Sequence, residues 1–230
     1  MEKLHPIQIR ILFDLLFVKD LNYASIKPVY MEGSQFVFHM NRLIVEGLVK
    51  KRGATYKLTE IGKEYANKID ANSLEIALQA KNTAVFCAVK NENEYLLYKR
   101  QKNPFYGCYG FPTQKILWGE SALETAVKGL KEETGLKAIT PPQLFAIRHY
   151  LVHLENTEIV EDKFMYCFLI KNPIGDLEPN SEGDFFWVPE EKVSSAVKKP
   201  QEEFFDIFQT LKSYKSDISF KEISVVTKNF

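Results

Sequence analysis

The chain has no long apolar run, no excess of charge of either sign and only three cysteines among its 230 residues. Without an apolar run of roughly 20 residues, no segment is expected to cross a bilayer. A net charge of +0 argues against polyanion binding by bulk charge. Because Cys87, Cys108 and Cys167 are far apart and lack CxxC spacing, we expect buried free thiols in a reducing compartment.

A secretory signal is also missing at the start of the sequence, where no positive region precedes an apolar core and a small-residue cleavage site. We therefore expect a cytoplasmic protein with no membrane partner. The length allows two modest domains or one large one. Charge is distributed unevenly, since residues 1–72 contain eleven Lys and Arg against eight Asp and Glu.

The first 72 residues show helical periodicity interrupted by one hairpin pattern. The segments PIQIRILFDLLFV and SQFVFHMNRLIVEGLV are apolar at helical spacing, with a short helix NYASIKPV between them. LVKKRGATYKLT predicts two short strands around Arg52-Gly53, and TEIGKEYANKI restarts a helix with Thr59 as its N-cap. This order and the run RLIVEGLVKKRGATYKLTEIGKEYA resemble winged-helix regulators of the multiple-drug-resistance-regulator type, over roughly residues 5–70.

The third helix of this region and the hairpin carry the candidate DNA contacts. Spacing of three and four residues places Val37, Met40 and Ile44 toward the core, which leaves other side chains of the helix exposed. Glutamine and arginine can hydrogen-bond base edges in a major groove, and cations on a wing can contact phosphates. The alternative is a solvated basic face on which Phe38 covers a neighbouring domain. The candidate DNA-binding residues are Gln35, Phe38, His39, Arg42, Lys50, Lys51 and Arg52.

A second constellation lies in PTQKILWGESALETAVKGLKEETGL, residues 112–136. The pattern predicts a helix over 121–134 that ends in Glu132 and Glu133, on the same face as Gly129. Two acids at a helix C-terminus are unfavourable for the helix dipole, but a divalent cation between them and a phosphate reverses this. The alternative is a solvated acidic helix end.

The same stretch resembles the box of the Nudix family, G-x5-E-x7-R-E-U-x-E-E-x-G-U, in which U is aliphatic. Anchored on EETGL, the resemblance covers roughly residues 82–214 and includes FFWVPEEKV near its end. It implies an α/β/α sandwich with a mixed sheet, a nucleoside-diphosphate-type ligand and Mg²⁺ or Mn²⁺. The implied metal ligands and catalytic residues are Glu120, Glu132 and Glu133, and the candidate ligand contacts are Lys115, Lys128 and Phe111.

Three positions depart from the box. Gln114 stands at its opening glycine, Lys128 at its arginine, and Gly129 at the glutamate of its R-E pair. Lys128 keeps the charge but loses the planar fork of arginine. Gly129 supplies no ligand and costs about 1 kcal/mol relative to alanine inside a helix. Because general-base assistance is worth roughly 10²–10⁴-fold, we expect a diphosphate pocket that persists and hydrolysis that is inefficient.

A later acid could replace the missing base, as in some Nudix enzymes. The candidates are Glu161, Asp162, Glu182 and Asp184. We expect a winged-helix domain over residues 1–72 (α+β), a linker over 73–81, and a Nudix domain over 82–215. Residues 216–230 form a tail with a candidate strand, which we expect to pair with another subunit or domain.

Two functions remain open from the sequence. One is a transcriptional regulator, a homodimer whose winged helix binds duplex DNA and whose degenerate Nudix domain senses a nucleoside-diphosphate-type metabolite. The alternative is a Mg²⁺-dependent Nudix pyrophosphohydrolase with the winged helix as an accessory. A scaffold in which both domains have lost their chemistry is the third reading.

Overall fold

The computed structural model describes residues 4–156, 158–178 and 181–229 and divides into two units, each with its own hydrophobic core. The first unit ends at Leu78 and the second begins at Gln79, within the segment expected to be a linker. No helix among these residues is long and apolar enough to span a membrane.

The first unit combines short helices with a three-stranded antiparallel sheet of order β1-β3-β2. Its elements are α1 (Pro6–Leu16), β1 (Leu21–Asn22), α2 (Tyr23–Ile26), α3 (Gly33–Val45), β2 (Val49–Arg52), β3 (Thr55–Leu58) and α4 (Glu60–Ala66). Gly53 adopts φ +59° in the β2–β3 turn, a conformation that favours glycine. The Thr59 hydroxyl accepts a hydrogen bond from the Gly62 amide at 3.0 Å, which confirms it as the N-cap of α4. This arrangement is compatible with a winged helix.

The buried face of α3 differs from the predicted one. Its buried residues include Phe36, Met40 and Leu43, whereas Val37 is exposed. Helical spacing alone is consistent with burial of either Phe36 or Val37. Burial of the larger aromatic side chain removes more apolar surface from water, and Phe36 is the residue that is buried. The helix is therefore rotated by about one position from the predicted orientation.

This rotation moves His39 into the core, so its assignment to the DNA-binding face is wrong. The side chain is only 6% exposed, and its ring stacks on that of His5 with centroids 4.5 Å apart. Burial, followed by the nearby His5, lowers the pKa of His39, because removal from water disfavours the charged imidazolium. His39 therefore has a packing role.

The second unit is built on a mixed sheet whose main path runs β10-β5-β4-β9-β8-β11, with β6 paired to β5 and β7 paired to β4. Parallel pairs join β4 to β9 and β8 to β11, and antiparallel pairs join the others. The strands are β4 (Lys81–Lys90), β5 (Glu94–Arg100), β6 (Tyr109–Gly110), β7 (Thr113–Lys115), β8 (Gln143–His153), β9 (Ile159–Lys171), β10 (Gly183–Pro189) and β11 (Ser219–Val226). The helices are α5 (Ala122–Thr134), α6 (Val193–Ala196) and α7 (Phe204–Ser213).

Helices cover both faces of this sheet, which confirms the expected mixed-sheet sandwich. Strand β4 explains why: Phe86 packs in one core with Leu130 of α5, while Val85 packs in another with Ile207 of α7. Alternate residues of a strand point to opposite faces, so a strand with apolar residues on both must lie between two layers.

The C-terminal tail is part of this sheet. Strand β11 pairs in parallel with β8 over the whole of Ser219–Val226, from Ser219 opposite Ala146 to Val226 opposite His153. The tail was expected to pair with another subunit or domain; instead it completes the sheet of its own unit.

Candidate functional site

The stretch of residues 112–136 forms a loop, the helix α5 and a second loop. Ser121 caps the start of α5, where its hydroxyl accepts a hydrogen bond from the Glu124 amide at 3.2 Å. Gly135 ends the helix at φ +78°, the left-handed conformation that commonly stops helices. Ser121 and Gly135 thus set the start and the end of α5.

Glu120, in the loop before α5, is held by the helix itself. Its Oε1 accepts a hydrogen bond from Lys128 Nζ at 2.9 Å, and its Oε2 accepts one from the Leu117 amide at 3.1 Å. The hydrogen bond from Lys128, then that from Leu117, holds the pKa of Glu120 below its usual value. Both Glu120 and the predicted ligand contact Lys128 are therefore engaged in joining the loop to the helix.

Glu133 has a different environment. Burial, followed by the nearby Glu182 carboxylate, raises the pKa of Glu133 to about 8, although Lys102 and Arg100 oppose the shift. Glu133 is partly buried, and a carboxylate near another one is stabilised by a cation placed between them. Glu182, one of the four later acids considered above, is thus the one that the structure brings to Glu133.

The three acids predicted to bind metal do not form a preassembled cluster. Among the described residues, no group of three or more His, Cys, Asp or Glu side chains is arranged to hold a metal ion. Glu120 is paired with Lys128, and Glu132 is exposed. Glu182 is likewise paired, with Lys102 at 2.6 Å. Mg²⁺ takes one or two carboxylates plus phosphate oxygens, so Glu133 with Glu182 fits a cation that arrives together with a diphosphate, which would take over Lys102.

A cavity of about 400 Å³ lies between β4, β7, β9 and the segment after β5, and Glu182 is the one of these acids that lines it. This volume suits a small-molecule ligand. Among its charged lining residues, five cations outnumber three acids, which favours an anionic ligand. They are Lys81, Arg100, Lys102, Lys115 and Lys163, against Glu161, Glu182 and Glu203. The predicted ligand contact Lys115 is therefore placed at the cavity.

One wall of the cavity is a buried ion network centred on Lys163. Its Nζ lies 2.9 Å from Glu203 Oε1 and 3.0 Å from Glu161 Oε2. The second of these is an ion pair without hydrogen-bond geometry, because Glu161 Oε2 has no hydrogen-bond partner among the described residues. Burial tends to lower the pKa of Lys163, but the two carboxylates raise it well above its usual value.

This network was not foreseen from the sequence. Alternation along β9 would have shown Glu161, Lys163 and Met165 on one face, yet it could not reveal that Glu203 meets them from the start of α7. Glu161 is occupied by Lys163 and Lys81, while Asp162 lies 2.9 Å from His149 Nε2. Both acids therefore have structural partners.

Phe111 is a core residue, so its assignment as a ligand contact is wrong. It is 3% exposed, and its ring centroid lies 5.2 Å from that of Phe204 in α7. An aromatic residue next to a glycine-rich loop can equally face the core, and here the second layer of helices buries it.

In the first unit, most of the predicted DNA contacts are exposed. Phe38 is 63% exposed on α3, and Gln35 and Arg42 are also on its surface. On the hairpin, Lys50, Lys51 and Arg52 are exposed along β2. Polar, aromatic and basic side chains therefore occur on α3 and on the hairpin that follows it.

Several known proteins are similar to this chain. The NUDIX domain family matches residues 80–208. An ADP-ribose pyrophosphatase of Methanocaldococcus jannaschii is 36% identical over 88 residues, which are 36% of this chain and 52% of that protein. The matched stretch therefore spans about half of that relative's length.

Two solved structures illustrate the shared fold. A mMutator MutT protein from Bacillus halodurans has a TM-score of 0.52 at 21% identity, covering 65% of this chain and 93% of its own. The NUDIX domain of Shewanella oneidensis NrtR, complexed with ADP ribose, has a TM-score of 0.50 at 17% identity, covering 67% of this chain and 97% of its own. At such identities the likeness concerns the fold alone.

Proposed function

Since this chain belongs to the Nudix family, we propose that it is a regulator whose second unit binds a nucleoside-diphosphate-type metabolite and whose first unit binds duplex DNA. The observation that carries the proposal is the packing around Gly129. A Cβ atom there would lie 2.8 Å from Gln114 Cβ and 2.8 Å from Phe86 Cε1, closer than real Cβ contacts. A cavity suited to anions is thus combined with a box that has no room for one of its acids.

The cavity and the relatives together support ADP-ribose as the first ligand to test. Its lining has an excess of cations, which suits a diphosphate. ADP-ribose also appears in the name of one relative and in the description of a structural neighbour. These names motivate the choice of probe, and the charge of the cavity provides the physical reason.

Nudix hydrolases generally use Mg²⁺ or Mn²⁺, and we propose the same cations here. Glu133 and Glu182 would hold the ion, with Glu132 beside them at the end of α5. Glu120 would join them only after releasing Lys128. When bound, the cation would neutralise diphosphate charge and polarise the phosphoryl group.

On the DNA side, we propose that α3 enters the major groove and that the β2–β3 hairpin contacts phosphates. Gln35 and Arg42 carry the hydrogen-bonding groups that read base edges, and Phe38 can contact a thymine methyl. We propose a homodimer, because paired half-sites match the symmetry of such proteins.

Replacing Arg42 or Lys51 with alanine should weaken DNA binding in two distinguishable ways. Loss of a bidentate base contact costs about 1–3 kcal/mol, so Arg42→Ala should relax sequence preference. Loss of a phosphate contact should reduce the slope of log K against log salt by about one, so Lys51→Ala should act on every duplex. Fluorescence anisotropy between about 50 and 200 mM salt, with duplexes enriched on the wild-type protein, measures both.

Arg10→Ala is the matched control for this experiment. Arg10 lies on α1, where its side chain pairs with Asp14 at 3.0 Å. Its replacement with alanine removes one positive charge, as the other two substitutions do. If Arg10→Ala weakens binding as much as the other two variants, the proposed DNA face is wrong.

Pyrophosphohydrolysis is the second candidate, and the raised pKa of Glu133 favours it. A carboxyl group with a pKa of about 8 is matched to proton transfer near neutral pH. As the carboxylate, Glu133 would accept the proton of a water molecule that attacks one phosphoryl group, while the bond from that phosphorus to the bridging oxygen breaks and the second phosphate leaves. Lys115 and Lys102 would orient the diphosphate from the cavity wall.

Incubation with ADP-ribose and Mg²⁺ separates the two candidates. For a sensor we expect saturable binding and turnover below roughly 0.1 s⁻¹, against a typical enzyme median near 10 s⁻¹. Faster turnover that Glu133→Gln abolishes would establish the enzyme instead. Glu124→Gln, which changes an exposed acid at the other end of α5, is the control and should leave turnover unchanged.

A further inference from the structure

Two of the three departures from the box are in direct contact. Gln114 lies in β7 and Gly129 lies in α5, and a Cβ atom on residue 129 would approach Gln114 Cβ to 2.8 Å and its Cγ to 3.4 Å. The box of the family has a glycine at the first of these positions and a glutamate at the second. This chain has the reverse distribution of volume, with a side chain at Gln114 and none at Gly129.

The backbone of Gln114 is fixed, so this contact follows from the fold. Gln114 pairs with Ala84 of β4, and directly opposite residues point to the same face of a sheet. That face is the one covered by α5, because Ala84 packs in the same core as Ala126 and Leu130. A side chain at residue 114 therefore occupies the space that a side chain at residue 129 would need.

The carboxamide of Gln114 is the group that would meet a ligand. Gln114 lines the cavity described above and is half-buried. Within the part of the chain that the structure describes, its carboxamide makes no hydrogen bond. A carboxamide has an acceptor oxygen and two N–H donors, which suit phosphate oxygens and ribose hydroxyls.

We propose that Gln114 is a ligand-contacting residue that has replaced the missing acid, and that it makes ligand binding less dependent on a divalent cation. The inference rests on the proposed function of the cavity. A neutral donor replaces a carboxylate close to Glu133 and Glu182, so the site repels a diphosphate less and attracts a cation less. Specificity then shifts from a metal-diphosphate complex toward the free anion.

A double-mutant cycle at these two positions tests the proposal. The variants are Gln114→Gly, Gly129→Glu and the double variant, studied by calorimetric titration with ADP-ribose in EDTA and with Mn²⁺. We expect Gln114→Gly to weaken ADP-ribose binding about tenfold in EDTA, the value of one or two net hydrogen bonds. We expect the double variant to bind Mn²⁺ more tightly and to need it for ADP-ribose.

Thermal melting of the same proteins tests the reciprocal packing without any ligand. Gly129→Glu should lower the melting temperature by about 5 °C through overpacking, and the added Gln114→Gly should restore part of it, because Phe86 Cε1 would still lie 2.8 Å from the new Cβ atom. If Gly129→Glu does not fold, Gly129→Ala adds only the Cβ atom and tests the same contact. Gln143→Gly, in an exposed residue of β8 outside the cavity, controls for placing glycine in a strand.

Each failure has a distinct signature. Wild-type binding of ADP-ribose that Gln114→Gly leaves unchanged overturns the ligand contact and leaves the proposed function intact. Equal melting temperatures of Gly129→Glu and the double variant overturn the reciprocal packing. No binding of ADP-ribose by the wild type overturns both the proposed ligand class and the contact that depends on it.

Discussion

Arg148→Ala is expected to lower the free energy of unfolding of the second unit by about 3–5 kcal/mol. The guanidinium is fully buried and donates to Asp206 Oδ2 and, at 2.7 Å, to Thr210 Oγ1, both in α7. It also donates to the Ser219 carbonyl at 2.9 Å, at the start of β11. Its removal leaves a large void and buried acceptors without donors, at the junction of β8, α7 and β11.

Lys221→Ala provides the matched control, because Lys221 Nζ pairs with the same Asp206 at 2.6 Å from an exposed position. Exposed ion pairs are worth about 0–1 kcal/mol, so this variant should lose little. Tryptophan fluorescence in denaturant reports on the second unit selectively, because both tryptophans, Trp118 and Trp187, lie in it. Equal losses for the two variants would contradict the central role of Arg148.

Glu133→Gln is expected to stabilise the fold at high pH and to leave it unchanged at low pH. The folded pKa of Glu133 is about 8, against an ordinary value of 4.5, so the folded state binds this proton more tightly than the unfolded state. The resulting stability is present below pH 4.5 and is lost as the pH rises to about 8. Above that, glutamine removes the penalty of a buried charge, a gain of about 2–4 kcal/mol.

Denaturant unfolding at about pH 4 and pH 9, in the absence of divalent cations, measures this difference. The control is Glu132→Gln, which changes the neighbouring acid in the same helix at an exposed position. It should change stability far less at either pH. A Glu133→Gln protein no more stable than the wild type at pH 9 would show that Glu133 is not a strained buried acid.

Periodicity and spacing predicted the parts of the molecule that local pattern determines. The helical spacing of SQFVFHMNRLIVEGLV indicated α3, and Thr59 indicated where α4 begins. The spacing of Glu120, Glu132 and Glu133 indicated the loop and helix that carry them. These features depend on residues that are close in sequence, so one chain is enough to read them.

The predictions that failed depend on tertiary contacts. In the structure α3 is rotated by about one position from the predicted orientation, so Phe36 and His39 are buried and Val37 is exposed. The second helical layer buried Phe111 against Phe204. The pairing of Lys128 with Glu120 depends on side-chain conformations that spacing does not determine, and the network of Lys163 with Glu203 joins residues forty positions apart.

The parallel pairing of β11 with β8 has a practical consequence for dissecting the protein. A recombinant fragment that stops at residue 215, the expected end of the Nudix domain, would lack β11 and leave Ala146–His153 of β8 as an open sheet edge. Such an edge is a template for pairing with other chains, and self-association of that fragment would say nothing about the native oligomer. A fragment that begins near Gln79 and keeps the tail retains the complete sheet and is the one suited to ligand titrations.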